Sequence, residues 1–314
     1  MMRWVKEKKS RILVIGMGQI GYSNAEYMAS QGLDVDGYDL NKKTVVRAID
    51  EGIIAGEAED FRGYEYYIIC ISTHSQEDMF KPSMEGLYDV AHRISREGKN
   101  NALVAIESTV TRGASNNVNE ILGHRLHVSH FPHRFYWKEK DEHGVRQNRV
   151  LGGCEPCCTA MAMRFYETIL GIPVHVVSSV EYAELSKIIE NSYRFLDIAF
   201  AEELKMVCDE YGLSFEELRT AINTKWNVEV LEALSGIGGH CLPKDSQMYL
   251  DMAKSVVTDS LLETAKIIDS EYRLHIGLNS EKIQLSLDSA SPGQDGKQVE
   301  DKLKVPLAQK PVEE

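Results

Sequence analysis

Residues 11–21 read RILVIGMGQIG, and this stretch decides the fold. The apolar run Ile12 to Ile15 is too short for a core helix and suits a strand buried on both faces. Gly16, Gly18 and Gly21 then set a G-x-G-x-x-G spacing around Met17, Gln19 and Ile20, and residues 22–31 carry a helical pattern that stops at Gly32. Strand, glycine turn and helix in that order let a backbone approach a pyrophosphate at a helix N-terminus. Residues 33–39 return as a second strand ending in Asp39, where a carboxylate can accept both ribose hydroxyls and repel a 2′-phosphate. The pattern predicts NAD rather than NADP, held by Gly16, Gly18, Gln19, Ile20, Gly21 and Asp39. Lys42 and Lys43 weaken that preference slightly, although they also fit a solvated helix start.

Working outward, strand-like runs at 66–72 and 102–107 alternate with helical or polar segments, and shorter ones follow at 126–130 and 174–177. This alternation predicts an α/β class, a doubly wound parallel Rossmann sheet covered by helices. From residue 179 the period changes, and 181–211 runs with helical spacing and no Pro or Gly until Gly212, one helix of about eight turns. A helix at 215–224, a glycine-rich loop at 235–245 and helices over 246–276 complete an all-helical part. The expected organisation is an NAD-binding domain over 1–178, a helical domain over 179–278, and a flexible tail over 279–314. No internal repeat is visible.

The 314 residues suffice for two cores, and the net charge of −13 argues against a nucleic-acid or anionic-membrane surface. No stretch approaches the roughly 20 apolar residues of a membrane helix, and residues 1–10 lack a signal-peptide core, so a cytoplasmic chain is expected. Cysteines at 70, 154, 157, 158, 208 and 241 read as reduced thiols rather than a disulfide framework. Cys154, Cys157 and Cys158 lack a second pair at ligand spacing, and His124, His127, His130, His133 and His143 alternate with apolar residues; no metal is expected at either group. Cys70 and Cys208 read as packing residues, and Tyr136 and Trp137 as a pocket wall or core edge.

The segment GIGGHCLPKD, residues 236–245, is the sharpest in the chain. A cysteine in a glycine-rich loop is accessible, and His240, Lys244 and a nearby helix start can stabilise its thiolate. On the long helix Lys187 and Asn191 are four apart, so both project from one face and can reach a single oxygen.

With AELSKIIENSYRFLDIAFAEEL (183–204), Glu107-Ser108-Thr109-Val110 and Arg149-Val150-Leu151-Gly152-Gly153, that segment resembles the UDP-glucose/GDP-mannose dehydrogenase family, particularly its UDP-N-acetylmannosamine branch, over about residues 11–250. The resemblance implies a four-electron oxidation at C6 of a nucleotide sugar, using two NAD in succession without aldehyde release. It implies that Cys241 forms a thiohemiacetal and then a thioester, that Lys187 and Asn191 hold the oxyanion, and that Asp245 orders water or takes a proton. Gly238 is expected to line the sugar pocket, and Thr73, Thr109 and Lys244 to touch the cofactor. Ser72 and Glu107 are neighbours without an assigned role. Where the family carries a glutamate after a proline, this chain has Pro132-His133, so His133 is a candidate for the same proton transfer. The family usually continues into a third, nucleotide-binding domain that this sequence does not show, which leaves open a separate chain that supplies it, a substrate that is smaller or held differently, or a degenerate relative.

Two other activities stay open: a two-electron β-hydroxyacid or 6-phosphogluconate-type dehydrogenase, which the glycine-rich Cys241 loop disfavours, and a catalytically weak NAD-binding partner of a full-length dehydrogenase. The resemblance also suggests a homodimer around the long helix, since Ile188, Ile189, Leu196, Phe200 and Leu204 exceed what one face needs.

Overall fold

In the computed structural model, residues 11–136, 139 and 142–278 are described. Trp137 and the tail expected over 279–314 lie outside them.

The opening strand β1 (Arg11–Ile15) leads through the glycine turn into α1 (Gln19–Ser30), and β2 (Asp34–Tyr38) and α2 (Lys42–Asp50) repeat the unit. β3 (Tyr66–Ile69), α3 (Glu85–Glu97), β4 (Leu103–Ile106), α4 (Ala114–Ile121) and β5 (His127–His130) continue the alternation. The strand order is β2-β1-β3-β4-β5-β6-β7, with β1 to β5 parallel. Side chains alternate along each strand: Ile12, Val14 and Ile68 pack under α1 and α2, while Leu13, Ile15 and Ile69 face α3 and α4. Burial on both faces is why these strands read as unbroken apolar runs.

One strand has no counterpart in the sequence expectation: β6 (Arg149–Gly153) pairs antiparallel with β5 and parallel with β7 (Val174–Val176). Between them run α5 (Pro156–Met163) and a π-helical continuation, Arg164–Ile169, which places Phe165 and Tyr166 in the core.

The long helix α6 (Val180–Glu210) spans 31 residues, followed by α7 (Phe215–Ile222), α8 (Cys241–Ala253) and α9 (Leu261–His275). Phe195 and Ala199 of α6 pack with Ile237, Leu250, Leu262 and Ala265, while Ala201 and Cys208 pack with Phe215 and Val230. Glu184 of α6, fully buried, accepts the Gly113 and Ser115 amides at 2.6 and 2.8 Å. It thereby satisfies the N-terminus of α4, which has no cap of its own, and fastens the helical part to the sheet.

Candidate active site

The strand order reverses direction between β1 and β3, the place where a doubly wound sheet opens a crevice at the carboxyl ends of its strands. Gly16 lies there, with φ +92, and a Cβ on it would fall 2.5 Å from the Cys70 carbonyl oxygen; one on Gly21 would fall 1.7 Å from that of Gly16. Internal packing therefore requires those two glycines. Gly18 is different: a Cβ there meets nothing within 4 Å, and the residue is exposed with φ −68. Its bareness serves a group approaching from outside the chain.

Gly18 starts α1, whose first turn carries no acid and no side-chain cap, so its free N–H groups and dipole can receive a phosphate. Asp39 accepts the Met17 amide at 2.6 Å through one oxygen and the Asn41 amide at 2.7 Å through the other, which fixes the carboxylate beside the turn. Gly18 and Gln19 are exposed at the turn and Ile20 and Asp39 half-buried, with Gly16 and Gly21 buried beneath them.

The helical half faces the same crevice. Lys244 is buried and donates to Asp245 Oδ1 at 2.6 Å and to Thr73 Oγ1 at 3.3 Å, while the Thr73 hydroxyl donates to the Thr109 carbonyl at 2.6 Å. This chain of bonds joins the ends of β3 and β4 to α8. On α6, Lys187 donates to Asn191 Oδ1 at 3.2 Å, and Asn191 donates to Asp245 Oδ2. Asp245 is therefore shared between α6 and α8. Burial lowers the Lys187 pKa against the pull of Asp245, Glu190 and Cys241.

Cys241 is the first residue of α8 rather than part of the preceding loop, and it stays exposed, with His240 Nε2 3.7 Å from its sulfur. The expected thiolate stabilisation is outweighed: the dense surroundings, then Asp245, push the thiol up, while Lys244 and Lys187 pull it down. The resting group is a thiol. Gly238 is exposed in the loop before it.

That loop is held from behind by residues the sequence did not reveal. Asp269 Oδ1 accepts the Ile237 amide at 2.7 Å, Arg273 donates to the Ile237 carbonyl at 2.6 Å, and the two side chains pair at 2.9 Å. Gly236, at φ +88, leaves the space that Arg273 occupies; a Cβ would sit 2.8 Å from its Nε. Beside this clamp Glu202 is fully buried, and among the described residues neither of its carboxylate oxygens has a hydrogen-bond partner. Burial first, and Asp269 second, push its pKa up to about 8, against Arg273. His74, half-buried, packs edge-on to His240 with ring centroids 5.9 Å apart, a further neighbour that no spacing rule suggested.

His133 is buried against Glu107. Burial and Arg149 lower its pKa to about 4 despite Glu107, with Lys187 a further lowering influence, so the ring is neutral at pH 7 and a weak base. Glu107 itself accepts from Asn24 at 2.9 Å, from the Tyr166 hydroxyl at 2.6 Å and from Arg149. Burial works to raise its pKa, but Arg149 and His133 hold it well below the usual carboxylate range. An arginine inside the run 149–153 was the one available sign of this cluster.

The reason for setting metal aside at the cysteines does not hold in three dimensions: His127 joins Cys157 and Cys158, with donor atoms all within 4.8 Å. Cys154 instead points to the Ser115 carbonyl, 3.5 Å away, and His124 to Asn119 at 3.0 Å. No helix among the described residues is long and apolar enough to cross a membrane.

Comparison with known proteins agrees with both halves. Residues 11–125 match the NAD binding domain of 6-phosphogluconate dehydrogenase, and residues 181–271 match the central domain of the UDP-glucose/GDP-mannose dehydrogenase family. The UDP-N-acetyl-D-mannosamine dehydrogenase of Pyrococcus horikoshii is 28% identical over 274 residues, 78% of this chain and 65% of that protein. The NDP-N-acetyl-D-galactosaminuronic acid dehydrogenase of Ralstonia solanacearum is 28% identical over 292 residues, 82% and 68% of the two chains. The solved structure of the Pyrococcus protein superposes with a TM-score of 0.73 at 26% identity, covering 83% of this chain and 68% of that one. The chain thus spans about two thirds of the length of these relatives. A 3-hydroxyisobutyrate dehydrogenase of Mycobacterium tuberculosis, 14% identical with a TM-score of 0.68, shares the fold alone. The chain thus carries a segment that matches an NAD binding domain ahead of a segment that matches the central domain of the UDP-glucose/GDP-mannose dehydrogenase family.

Proposed function

We propose that this chain oxidises the primary alcohol of a nucleotide sugar of the UDP-hexose or UDP-N-acetylhexosamine type to the carboxylate, with Cys241 as covalent nucleophile. The observation that carries the reading is an exposed thiol at a helix start, set beside Lys187, Asn191 and Asp245 at the mouth of a dinucleotide crevice. Bound NAD supplies the hydride acceptor for each two-electron step.

The chain's own groups handle protons and the carbonyl. Asp245, through ordered water, receives the proton of the alcohol as the aldehyde forms. The sulfur of Cys241 then bonds the aldehyde carbon and its proton passes to the oxygen, giving a thiohemiacetal; a raised thiol pKa is compatible with this addition, because the proton is transferred rather than lost. Lys187 and Asn191 hold the developing oxyanion. Loss of the second hydride from the same carbon, and of the hydroxyl proton, leaves a thioester. Water adds to it, the carbon–sulfur bond breaks, one proton of the water goes to the sulfur and the other through Asp245 to solvent, and the thiol and the carboxylate are released. His133 serves here as a neutral positioning residue behind Lys187 rather than as the base.

A homodimer through α6 belongs to the same reading. Of the five residues named from the sequence, Ile188 is buried and Leu196 and Leu204 pack against the chain's own cores, which leaves Ile189 and Phe200 exposed. With them, Tyr182, Tyr193, Val207 and Tyr211 are exposed, and steps of seven and four place the six on one helical stripe that the described residues leave bare. A second copy of α6 is the matching surface. Sedimentation at micromolar concentration is expected to give a dimer, and a monomer there refutes it.

Activity is tested by incubating the purified chain with NAD and a panel of UDP- and GDP-hexoses. Two NADH per sugar and an acid product are expected, and Cys241→Ser should form no acid. One NADH per substrate, or acid formation that survives Cys241→Ser, overturns the thiol mechanism. Bound NAD with no turnover on any sugar points instead to a non-catalytic partner.

A further inference from the structure

At the amino end of the sheet, one strand length from Glu107, lie three soft donors that the proposed chemistry does not use. His127 opens β5, and Cys157 and Cys158 are the second and third residues of α5. One imidazole nitrogen and two sulfurs fall within 4.8 Å of one another.

We infer that His127, Cys157 and Cys158 bind a zinc ion that fastens α5 to β5, with a solvent molecule as the fourth ligand. The donor set selects the ion: two thiolates and an imidazole suit a borderline-soft, tetrahedral cation and not magnesium or calcium. The three ligands stand on regular elements, and those elements are already locked together. A Cβ on Gly153 at the end of β6 would come within 2.4 Å of the Thr159 nitrogen and 3.0 Å of the Cys158 carbonyl carbon, so the first turn of α5 rests directly on the strand pair. That turn carries no acid and no side-chain cap, so the positive end of the helix dipole is unopposed there.

Burial grades outward across the site. Cys158 is buried, His127 half-buried and Cys157 exposed, so the ion has a path from solvent and keeps one open position. Zinc–sulfur bonds of about 2.3 Å and zinc–nitrogen bonds of about 2.0 Å require ligand separations of roughly 3.5 Å, reached by rotating the exposed Cys157 side chain. Binding releases two S–H protons to solvent, and two thiolates then balance the charge of the ion.

The test uses the full chain with Cys241→Ser, under reductant, stripped of metal, loaded with Zn²⁺ and freed of excess ion. One zinc per chain, a raised melting temperature, and tetrahedral thiolate bands on Co²⁺ substitution are expected. Cys157→Ser and His127→Gln, each added singly, should abolish stoichiometric zinc retention while the stripped proteins keep the circular dichroism of the parent. A parent that retains no zinc, or retention unchanged in both variants, overturns the site.

Discussion

Glu107 and Asp245 are both buried carboxylates facing a cation, and their surroundings differ in one respect that separates architecture from chemistry. Glu107 is closed in by Arg149, Tyr166, Asn24 and His133, drawn from β6, the π-helical segment, α1 and the chain after β5. Asp245 has Lys244 on one oxygen and Asn191 on the other, but its neighbour Cys241 opens to solvent. A saturated carboxylate can hold elements together and do little else, whereas one at the edge of a cleft can exchange protons with what enters. Glu202 extends the contrast, a buried carboxylate with no hydrogen-bond partner among the described residues.

The sharpest way to break the comparison is Arg149→Met. It strands Glu107 as an uncompensated buried charge and should lower unfolding free energy by about 3–5 kcal/mol in urea titration, with the double variant carrying Glu107→Gln recovering part of it. If Arg149→Met instead unfolds at the parent's urea midpoint, the closed cluster is not a structural tie. At the open cluster the signs reverse: Lys187→Met should reduce turnover by roughly 100- to 1000-fold, the range for a lost oxyanion donor, with melting temperature held. A fall in stability with turnover preserved would place Lys187 with the architecture.

The smallest effect is expected at Glu202, where pH supplies the readout. Its folded pKa, up to about 8, lies above the ordinary carboxylate value, so the unfolded chain loses the proton first and stability declines as pH rises from about 4.5 to 8. Glu202→Gln should remove that decline, a gain at pH 9 and none at pH 4. Equal gains at both pH values would mean that packing, not ionisation, governs the site.

The same contrast explains what the sequence disclosed. The five parallel strands and the NAD turn were readable because burial on both faces writes an apolar run and a dinucleotide turn writes glycines. Lys187, Asn191 and Asp245 were readable through helical spacing and family likeness, and the structure bonds them in one chain. β6 escaped because it pairs antiparallel and begins with a buried arginine, which no periodicity marks as core. The placement of Cys241 on α8 rather than in the loop escaped because Gly238 and Gly239 mask the helix boundary. Asp269, Arg273 and His127 act on partners about 30 residues away in the chain, a distance over which spacing rules carry no information.

The grip of Glu184 on the Gly113 and Ser115 amides bears on how the molecule can move. Together with the pairing of Arg134 with Glu190, ten residues beyond the helix start, that grip ties the first three turns of α6 to the sheet. Widening of the gap bridged by Lys244 and Thr73 without breaking these ties is a swing about the head of α6, in which residues far along the helix travel furthest for a given angle.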